Sequence, residues 1–539
     1  MRQQWNVKYQ RKLNESLWSA LLASRDITNP EHFFSDASMS DLHDPFLFED
    51  MKKATERLHH AVKTRERIWV YGDYDVDGTS GASLLVHALR SLGAEVSYRV
   101  PHRLKEGYGL HKHYVDEAAK NFVKIIITVD CGISCKKEID YAESLGINVI
   151  ITDHHTVPKE KPNAFATLHP QLSGYPFKHL SGSGVAFKLA SALLEDKKMI
   201  ATLIDLASLG TVADCVPLIG ENRSIVKLGL KQMAHTKWEG LRAILESSGN
   251  LYNTEFTTET IGFQIGPRIN AAGRMDTPMW AMQTLLADGA AAQKFANKLE
   301  ELNRDRQSLT SKIFDEALLK INTEDVIIIA EGEGWSSGLV GLIAGKIQEK
   351  FSKPTLILDD RGDHLIGSAR SVTGFNIIEA INAAKALLEH FGGHEMAAGF
   401  KLKKSNYSDF KKILTECAKN HFAQNPNTNK LELETELFAE DLSIESSEKI
   451  ESFAPFGIGN SKPVFLLQNA EIFNLRSIGK NAEHLKFSIK SHNKIFSAIA
   501  FRMAENAQEL QNSKKLAIQL EKNEWQNRVE LQIKLVDFA

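Results

Sequence analysis

The sequence predicts an α/β fold in two lobes: a parallel-sheet lobe joined by a long helix to a smaller α/β lobe, followed by a small C-terminal β-barrel. Three observations predict it. Short apolar runs alternate with helical stretches between Arg67 and Asp153, residues 290–321 run without Gly or Pro, and apolar and polar residues alternate near the C-terminal end. Strands separated by stretches of helix length form βαβ units, whose sheets are parallel and covered on both faces.

In chain order, "RIWVYGD" reads as a buried strand, "SGASLLVHALRSLG" as a helix and "EVSYRVP" as a second strand. "HYVDEAAKN" is helical, "KIIITVD" a third strand, "CKKEIDYAESLG" a helix and "INVIITD" a fourth strand. Residues 180–290 read as mainly helical, and 290–321 as one helix between lobes. The second lobe follows with "DVIIIAEG" as strand, "GLVGLIAGKIQEKF" as helix, "PTLILDD" as strand and "FNIIEAINAAKALLEHFGG" as helix. "AQNPNTNK" is polar and reads as a linker. In the tail, "HLKFSIK" and "RVELQIKLV" alternate as strands, with Val529, Leu531, Ile533 and Leu535 on one face. The expected boundaries are an N-terminal segment 1–50, a first lobe 51–290, a connecting helix 291–322, a second lobe 323–424 and a barrel 425–539.

Of the 539 residues, 43% are apolar and 25% charged, so large cores form and wholesale disorder is excluded. A net charge of −3 neither announces nucleic acid nor excludes it, because a local basic groove vanishes in a global sum. Cys131, Cys135, Cys215 and Cys417 form no CxxC pair, which argues against a structural zinc or a disulfide framework and for a reducing compartment. "MRQQWNVKYQ" has no apolar leader core, and no apolar run reaches the roughly 18 residues of a membrane span. The expectation is a cytoplasmic protein.

The chemistry is concentrated in "VYGDYDVDGTSGA", Val70 to Ala82, where three aspartates alternate ahead of a glycine. An EF-hand loop numbered from Asp73 would need a bidentate Glu at its twelfth position, which is Leu84. An aspartyl phosphatase would use Asp75 as nucleophile, Asp77 as acid and a later acidic pair such as Asp359 and Asp360; it leaves His154 and His155 idle. A two-metal site uses everything. Paired divalent ions need several oxygen and imidazole ligands, and that mixture favours manganese or magnesium over calcium. Ligands of parallel sheets collect beyond the carboxyl ends of the strands. Asp73, Asp75, Asp77, Asp130, Asp153, His154 and His155 all fall there. Asp214, inside the apolar "ASLGTVADCVPL", needs a cation or donor to offset its burial.

In order and spacing, "GDYDVDGTSG", "VDCG", "TDHH" and "GTVADCVPL" resemble the four motifs of the DHH phosphoesterase superfamily. "PHRLKEGYGL", "PRINAAGRM", "LNRDRQ" and "GSARSVTGFNI" resemble its branch of bacterial single-strand-specific DNA exonucleases. "FGGHEMAAGF" is similar to the signature of the associated DHHA1 domain, and "PFGIGN" with "HLKF" to an oligonucleotide-binding (OB) barrel. Ser336 and Lys346 depart from the pattern, where relatives usually carry His and Arg.

The resemblance implies a DHH catalytic domain over 51–290, a DHHA1 domain over 323–424 and an OB-fold over 425–539. It implies Asp75, Asp77, Asp130, His154 and Asp214 as ligands of two divalent cations, Mn2+ or Mg2+, with Asp130 bridging and Asp73 a ligand or its neighbour. Asp153 would orient a histidine, and His155 would face the scissile phosphate. Arg103, Tyr108, Arg268, Asn270 and Arg274 would line the path of the strand. Ser368, Arg370 and His394 would hold a 5′-terminal phosphate. The expected reaction is 5′ to 3′ hydrolysis of single-stranded DNA to 5′-mononucleotides, by a monomer with a single-strand-binding protein and a helicase as partners. A hydrolase of short oligonucleotides or cyclic dinucleotides and a non-catalytic DNA-binding scaffold are the alternatives. The filled motif positions count against the scaffold, and the barrel and extra length favour a long substrate.

Overall fold

The computed structural model describes residues 4–12, 14–172, 174–250, 255–425, 430–491, 494–525 and 528–539. The chain divides into two compact units: Ala37–Pro426 with Gly457–Gly459, and Met1–Asp36 with Asn427–Phe456 and Asn460–Ala539.

The larger unit begins with a five-stranded parallel sheet in the order Val96–Arg99, Arg67–Gly72, Val123–Val129, Asn148–Thr152, Ala166–Leu168. The strands are near-continuous apolar runs because both faces are covered. Val70, Ile125, Ile127 and Ile150 enter one buried cluster, while Trp69, Ile126, Val149 and Ile151 enter another. Helices Gly182–Leu193 and Lys197–Ala213 pack on Val76–Ser91, extending the first cluster. The predicted connector is a single helix, Gly289–Lys320.

The second lobe carries a mixed sheet in the order Leu388–His394, Ala397–Lys403, His364–Arg370, Thr355–Asp360, Ile328–Glu333. One expectation fails here. The sequence predicts one helix over 375–393, but the helix is Ile377–Ala383, and Leu388–His394 is an edge strand antiparallel to Ala397–Lys403. Helical apolar spacing loses to hairpin pairing with the strand that follows. Gly393 sits at φ +150°, and a Cβ there would lie 2.3 Å from the Ala397 carbonyl oxygen.

The smaller unit is a seven-stranded sheet in the order Glu436–Leu437, Phe465–Gln468, Lys515–Trp525, Arg528–Phe538, Lys494–Ala500, His484–Ser491, Glu471–Ile478. Phe453, Phe465 and Phe487 are buried in its core and Phe456 packs against it. Ile533 and Leu535 point inward as expected, but Val529 is exposed because the start of the strand extends beyond the core. The N-terminal strand Gln4–Val7 pairs in parallel with Lys430–Leu433. The segment 1–50 is therefore shared, its first 36 residues belonging with the β unit. Of the expected linker, residues 426–429 lie outside the described residues, and its first residues belong to helix Tyr407–Gln424. Among the described residues, no helix is long and apolar enough to cross a membrane.

Candidate metal centre

Three strands deliver the site. Arg67–Gly72 ends at the aspartate loop, Val123–Val129 at Asp130 and Asn148–Thr152 at Asp153, His154 and His155. Asp75 caps helix Val76–Ser91, its Oδ1 accepting from the Gly78 N–H at 3.0 Å. The loop folds back so tightly that a Cβ on Gly78 would come within 2.5 Å of the Asp73 backbone. Asp130 has a left-handed backbone, φ +61°, which is costly for a residue with a Cβ. Its N–H donates to the Thr152 carbonyl at 2.9 Å, and its carbonyl accepts from the Tyr108 hydroxyl at 3.2 Å. Asp214 follows helix Lys197–Ala213 as its C-cap.

A fourth element closes the site. Helix Gly182–Leu193 aims its N-terminus at Asp77, whose Oδ2 and Oδ1 accept from the N–H groups of Gly182 at 2.6 Å and Ser183 at 2.9 Å. Two glycines make room. A Cβ on Gly182 would lie 2.6 Å from Asp130 Oδ1, and one on Gly210 would lie 2.1 Å from Asp77 Oδ1. The sequence reading misses this support, although the "SGSG" run at 181–184 and the glycine in "ASLGTVADC" are its trace.

The predicted ligands converge. Asp73, Asp75 and Asp130 form one cluster, Asp77, His154 and Asp214 a second, and Asp130, His154 and His155 a third, each with ligand atoms within 4.8 Å of one another. His154 Nε2 lies 3.1 Å from Asp130, 3.4 Å from Asp214 and 3.8 Å from Asp77. Burial, then the neighbouring carboxylates, raises the titration of Asp73, Asp75 and Asp130 above the usual range and that of Asp214 to about 8. Burial lowers His154, favouring the neutral form that a ligand requires. Asp73 Oδ1, Asp130 Oδ1 and His154 Nε2 are buried without a hydrogen-bond partner. Such a set of donors fits divalent cations.

Asp153 is bound differently. Its Oδ1 accepts from the N–H groups of His154 and His155 and from His155 Nδ1 at 2.9 Å, and its Oδ2 from the Ile133 N–H. Burial opposes its ionisation, but these donors and the His155 charge hold it down near about 2. Burial likewise opposes the His155 charge, but Asp153 raises that imidazole to about 9.

Around this edge, helix Gly266–Met275 packs on the aspartate loop. A Cβ on Gly266 would touch Val76 and Ala213, and one on Gly273 would touch the Tyr74 carbonyl and Arg103. Arg274 donates to the Gly338 carbonyl at 3.1 Å, tying this helix to the second lobe. Burial, and after it the nearby Arg103, Arg306 and Arg370, lowers its guanidinium to about 9. Arg103 lies over the Tyr74 ring at 4.6 Å. Tyr74 and Arg306 are absent from the sequence-derived site. Asn270 has a buried Oδ1 without a partner. The Arg268 guanidinium is bound to Glu300 at 2.7 Å and to the Gln264 carbonyl at 2.7 Å.

In the second lobe, Ser368 and Arg370 lie two residues apart on one strand face, under the start of helix Val340–Phe351. A Cβ on Gly341 would come 3.0 Å from Ser368 Oγ and 3.2 Å from Arg370 Nη2. His394 pairs with Ala397, which pairs with Arg370, so the three share one row across the sheet. Asp359 and Asp360, the pair an aspartyl phosphatase would need, are bound to Arg361 at 2.7 Å and Lys404 at 2.5 Å.

A parallel sheet whose carboxyl edge gathers carboxylates and histidines, joined to an arginine-bearing second lobe, is the architecture of the DHH class. The DHH family N-terminal domain matches residues 67–211 and the DHHA1 domain matches 324–420. The RecJ OB domain matches 433–537. With near-complete coverage by curated relatives as well, the chain belongs to the RecJ family. It is 37% identical over 536 residues to the single-stranded-DNA-specific exonuclease RecJ of Bacillus subtilis, spanning 97% of this chain and 68% of that protein. To the Haemophilus influenzae RecJ it is 31% identical, over 97% of this chain and 96% of that one. The crystal structure of Thermus thermophilus RecJ in complex with Mn2+ matches with a TM-score of 0.83 at 29% identity, covering 100% of this chain and 80% of that one.

Proposed function

We propose that this chain is a single-strand-specific DNA exonuclease that degrades 5′ to 3′ and releases 5′-mononucleotides, in recombination and repair. The observation that carries the reading is the convergence of Asp73, Asp75, Asp77, Asp130, His154 and Asp214 at one sheet edge, with three buried ligand atoms that make no hydrogen bond. The whole-chain likeness to single-stranded-DNA-specific exonucleases names the substrate class.

The six residues would hold two divalent cations, Mn2+ or Mg2+, with Asp130 shared between clusters as the bridge. When bound, such ions polarise a phosphoryl oxygen and make water nucleophilic near neutral pH. Asp153 fixes the ring and tautomer of His155 by accepting from Nδ1, leaving Nε2 to meet the scissile phosphate. Held there, His155 would offset negative charge on the phosphate or pass a proton to the departing 3′-oxygen. Arg103, Arg274 and Asn270 line the path of the strand, while Arg268, held by Glu300, steadies the helix that carries two of them. Ser368, Arg370, His394 and the start of helix Val340–Phe351 grip the 5′-terminal phosphate, which sets the direction of degradation. The catalytic domain would be 51–290, the phosphate-gripping domain 323–424 and a further strand-binding domain 425–539. Family analogy supports a cytoplasmic monomer working with a single-strand-binding protein and a helicase.

A 3′-labelled single strand tests this. It should shorten from its 5′ end in Mn2+, a blunt duplex should resist, and a circular single strand should survive. Efficient cutting of the circle would refute the exonuclease reading.

A further inference from the structure

Tyr108 sits between two glycines in the left-handed region, Gly107 at φ +83° and Gly109 at φ +96°. The loop that carries it is pinned from beneath. The Tyr71 hydroxyl donates to the Gly109 carbonyl at 2.9 Å, and the Leu110 N–H points at Cys135 Sγ, 3.2 Å away. A Cβ on Gly109 would press within 2.9 Å of that sulfur. The backbone is thus shaped to present this one side chain. The residue is 38% exposed, but its hydroxyl is committed. It lies 3.2 Å from the Asp130 carbonyl and 3.1 Å from His155 Nδ1, with the rings 5.1 Å apart.

The donors can be assigned. Asp153, a carboxylate, takes the Nδ1–H of His155 at 2.9 Å, so the tyrosine O–H points to the Asp130 carbonyl and its oxygen faces the same Nδ1–H. One hydroxyl from a loop outside the sheet therefore links the residues that follow two different strands.

We infer that Tyr108 is a positioning residue: its hydroxyl holds the His155 ring and the left-handed Asp130 in register, so that both face the same phosphodiester. The inference rests on the hydrolase reading above and adds a role for the hydroxyl that is separate from any contact of the ring with a base. A ring that stacks on bases is served equally by phenylalanine. A hydroxyl that positions His155 is not.

Tyr108→Phe and Tyr108→Leu separate the two. On a 5′-phosphorylated single strand in Mn2+, Tyr108→Phe should lower kcat about tenfold, the worth of one hydrogen bond, with KM within about twofold and an unchanged melting temperature. Tyr108→Leu should show the same kcat loss, plus a rise in KM if the ring also stacks. Wild-type kcat in Tyr108→Phe would overturn the inference, as would a loss confined to KM. A second readout does not need turnover. In 15N-histidine-labelled protein, with the His155 signal assigned by His155→Asn, Tyr108→Phe should shift or broaden the Nδ1 resonance, and an unmoved resonance overturns the inference. If the wild type cuts no DNA but the resonance moves, the hydrolase reading fails and the positioning role stands.

Discussion

Stripped of divalent cations, the unit that bears the site should lose stability as pH rises from 6 to 8, and Mn2+ should flatten or reverse that slope. The reason is the crowding of carboxylates. Asp214 is raised to about 8 by burial, Asp77 and Asp75, whereas an unfolded aspartate titrates near 3.8. Between those values the folded chain keeps a proton that the unfolded chain has lost. The stability this provides is complete below the unfolded value and disappears as pH passes about 8. At about 1.4 kcal/mol per pH unit, softened near the titration point, Asp214 alone removes about 2 kcal/mol between pH 6 and 8. His155, raised to about 9 mainly by Asp153 against its burial, acts with the same sign: its contribution is complete below 6.5 and is lost toward 9. The two do not add, because each charge acts on the other. Asp153, held near about 2, stays ionised throughout and contributes no slope. For a unit the size of Ala37–Pro426, about 2 kcal/mol corresponds to a melting temperature about 3 °C lower. Ligand carboxylates bind a cation only when deprotonated, so stabilisation by Mn2+ grows over the same range. Melting curves at pH 6, 7 and 8, in chelator and in Mn2+, are the assay. Parallel slopes in the two series would refute the reasoning, as would a chelated protein more stable at pH 8 than at pH 6.

Three more predictions follow from the site. Asp130→Ala should abolish Mn2+-dependent hydrolysis while the circular dichroism spectrum stays native, and near-normal turnover in that variant would remove Asp130 from the centre. Arg370→Ala should cost about 1.5–3 kcal/mol of binding, a tenfold to hundredfold drop in kcat/KM on 5′-phosphorylated ends. Competition between phosphorylated and unphosphorylated strands measures it, and equal losses on both would show that Arg370 does not read the terminus. Gly210→Ala should destabilise despite the roughly 1 kcal/mol that alanine gains over glycine in a helix, because its Cβ would sit 2.1 Å from Asp77 Oδ1 and 2.3 Å from Ser183 Oγ. A calorimetric scan with a Mn2+ titration tests it, and a higher melting point with intact affinity would contradict the packing.

The candidate metal centre was readable from sequence because the placement of its residues is local. In a parallel sheet, a buried apolar run followed by Asp or His places that side chain at the carboxyl edge, whatever the helices do. "GDYDVDG", "VDCG" and "TDHH" each sit directly after such a run. The long helix over Gly289–Lys320 was legible for the same reason, since nothing in it breaks a helix. Where sheet pairing competes with helical spacing, sequence reading failed. Leu388–His394 has helical periodicity but joins a sheet, because Ala397–Lys403 offers it backbone partners.

By itself, then, the sequence placed the carboxylates and histidines of the candidate centre along one edge of the parallel sheet, and the long helix after it. Tertiary structure alone decided how they are held. Asp77 is fixed by two N–H groups of a helix more than a hundred residues away, Tyr108 from another loop meets His155 beside its near neighbour Asp153, and Arg268 is drawn to Glu300. Spacing along a chain determines which side chains share an edge. Only the packing of distant segments determines which partner each one meets, and therefore which charges are left for a ligand.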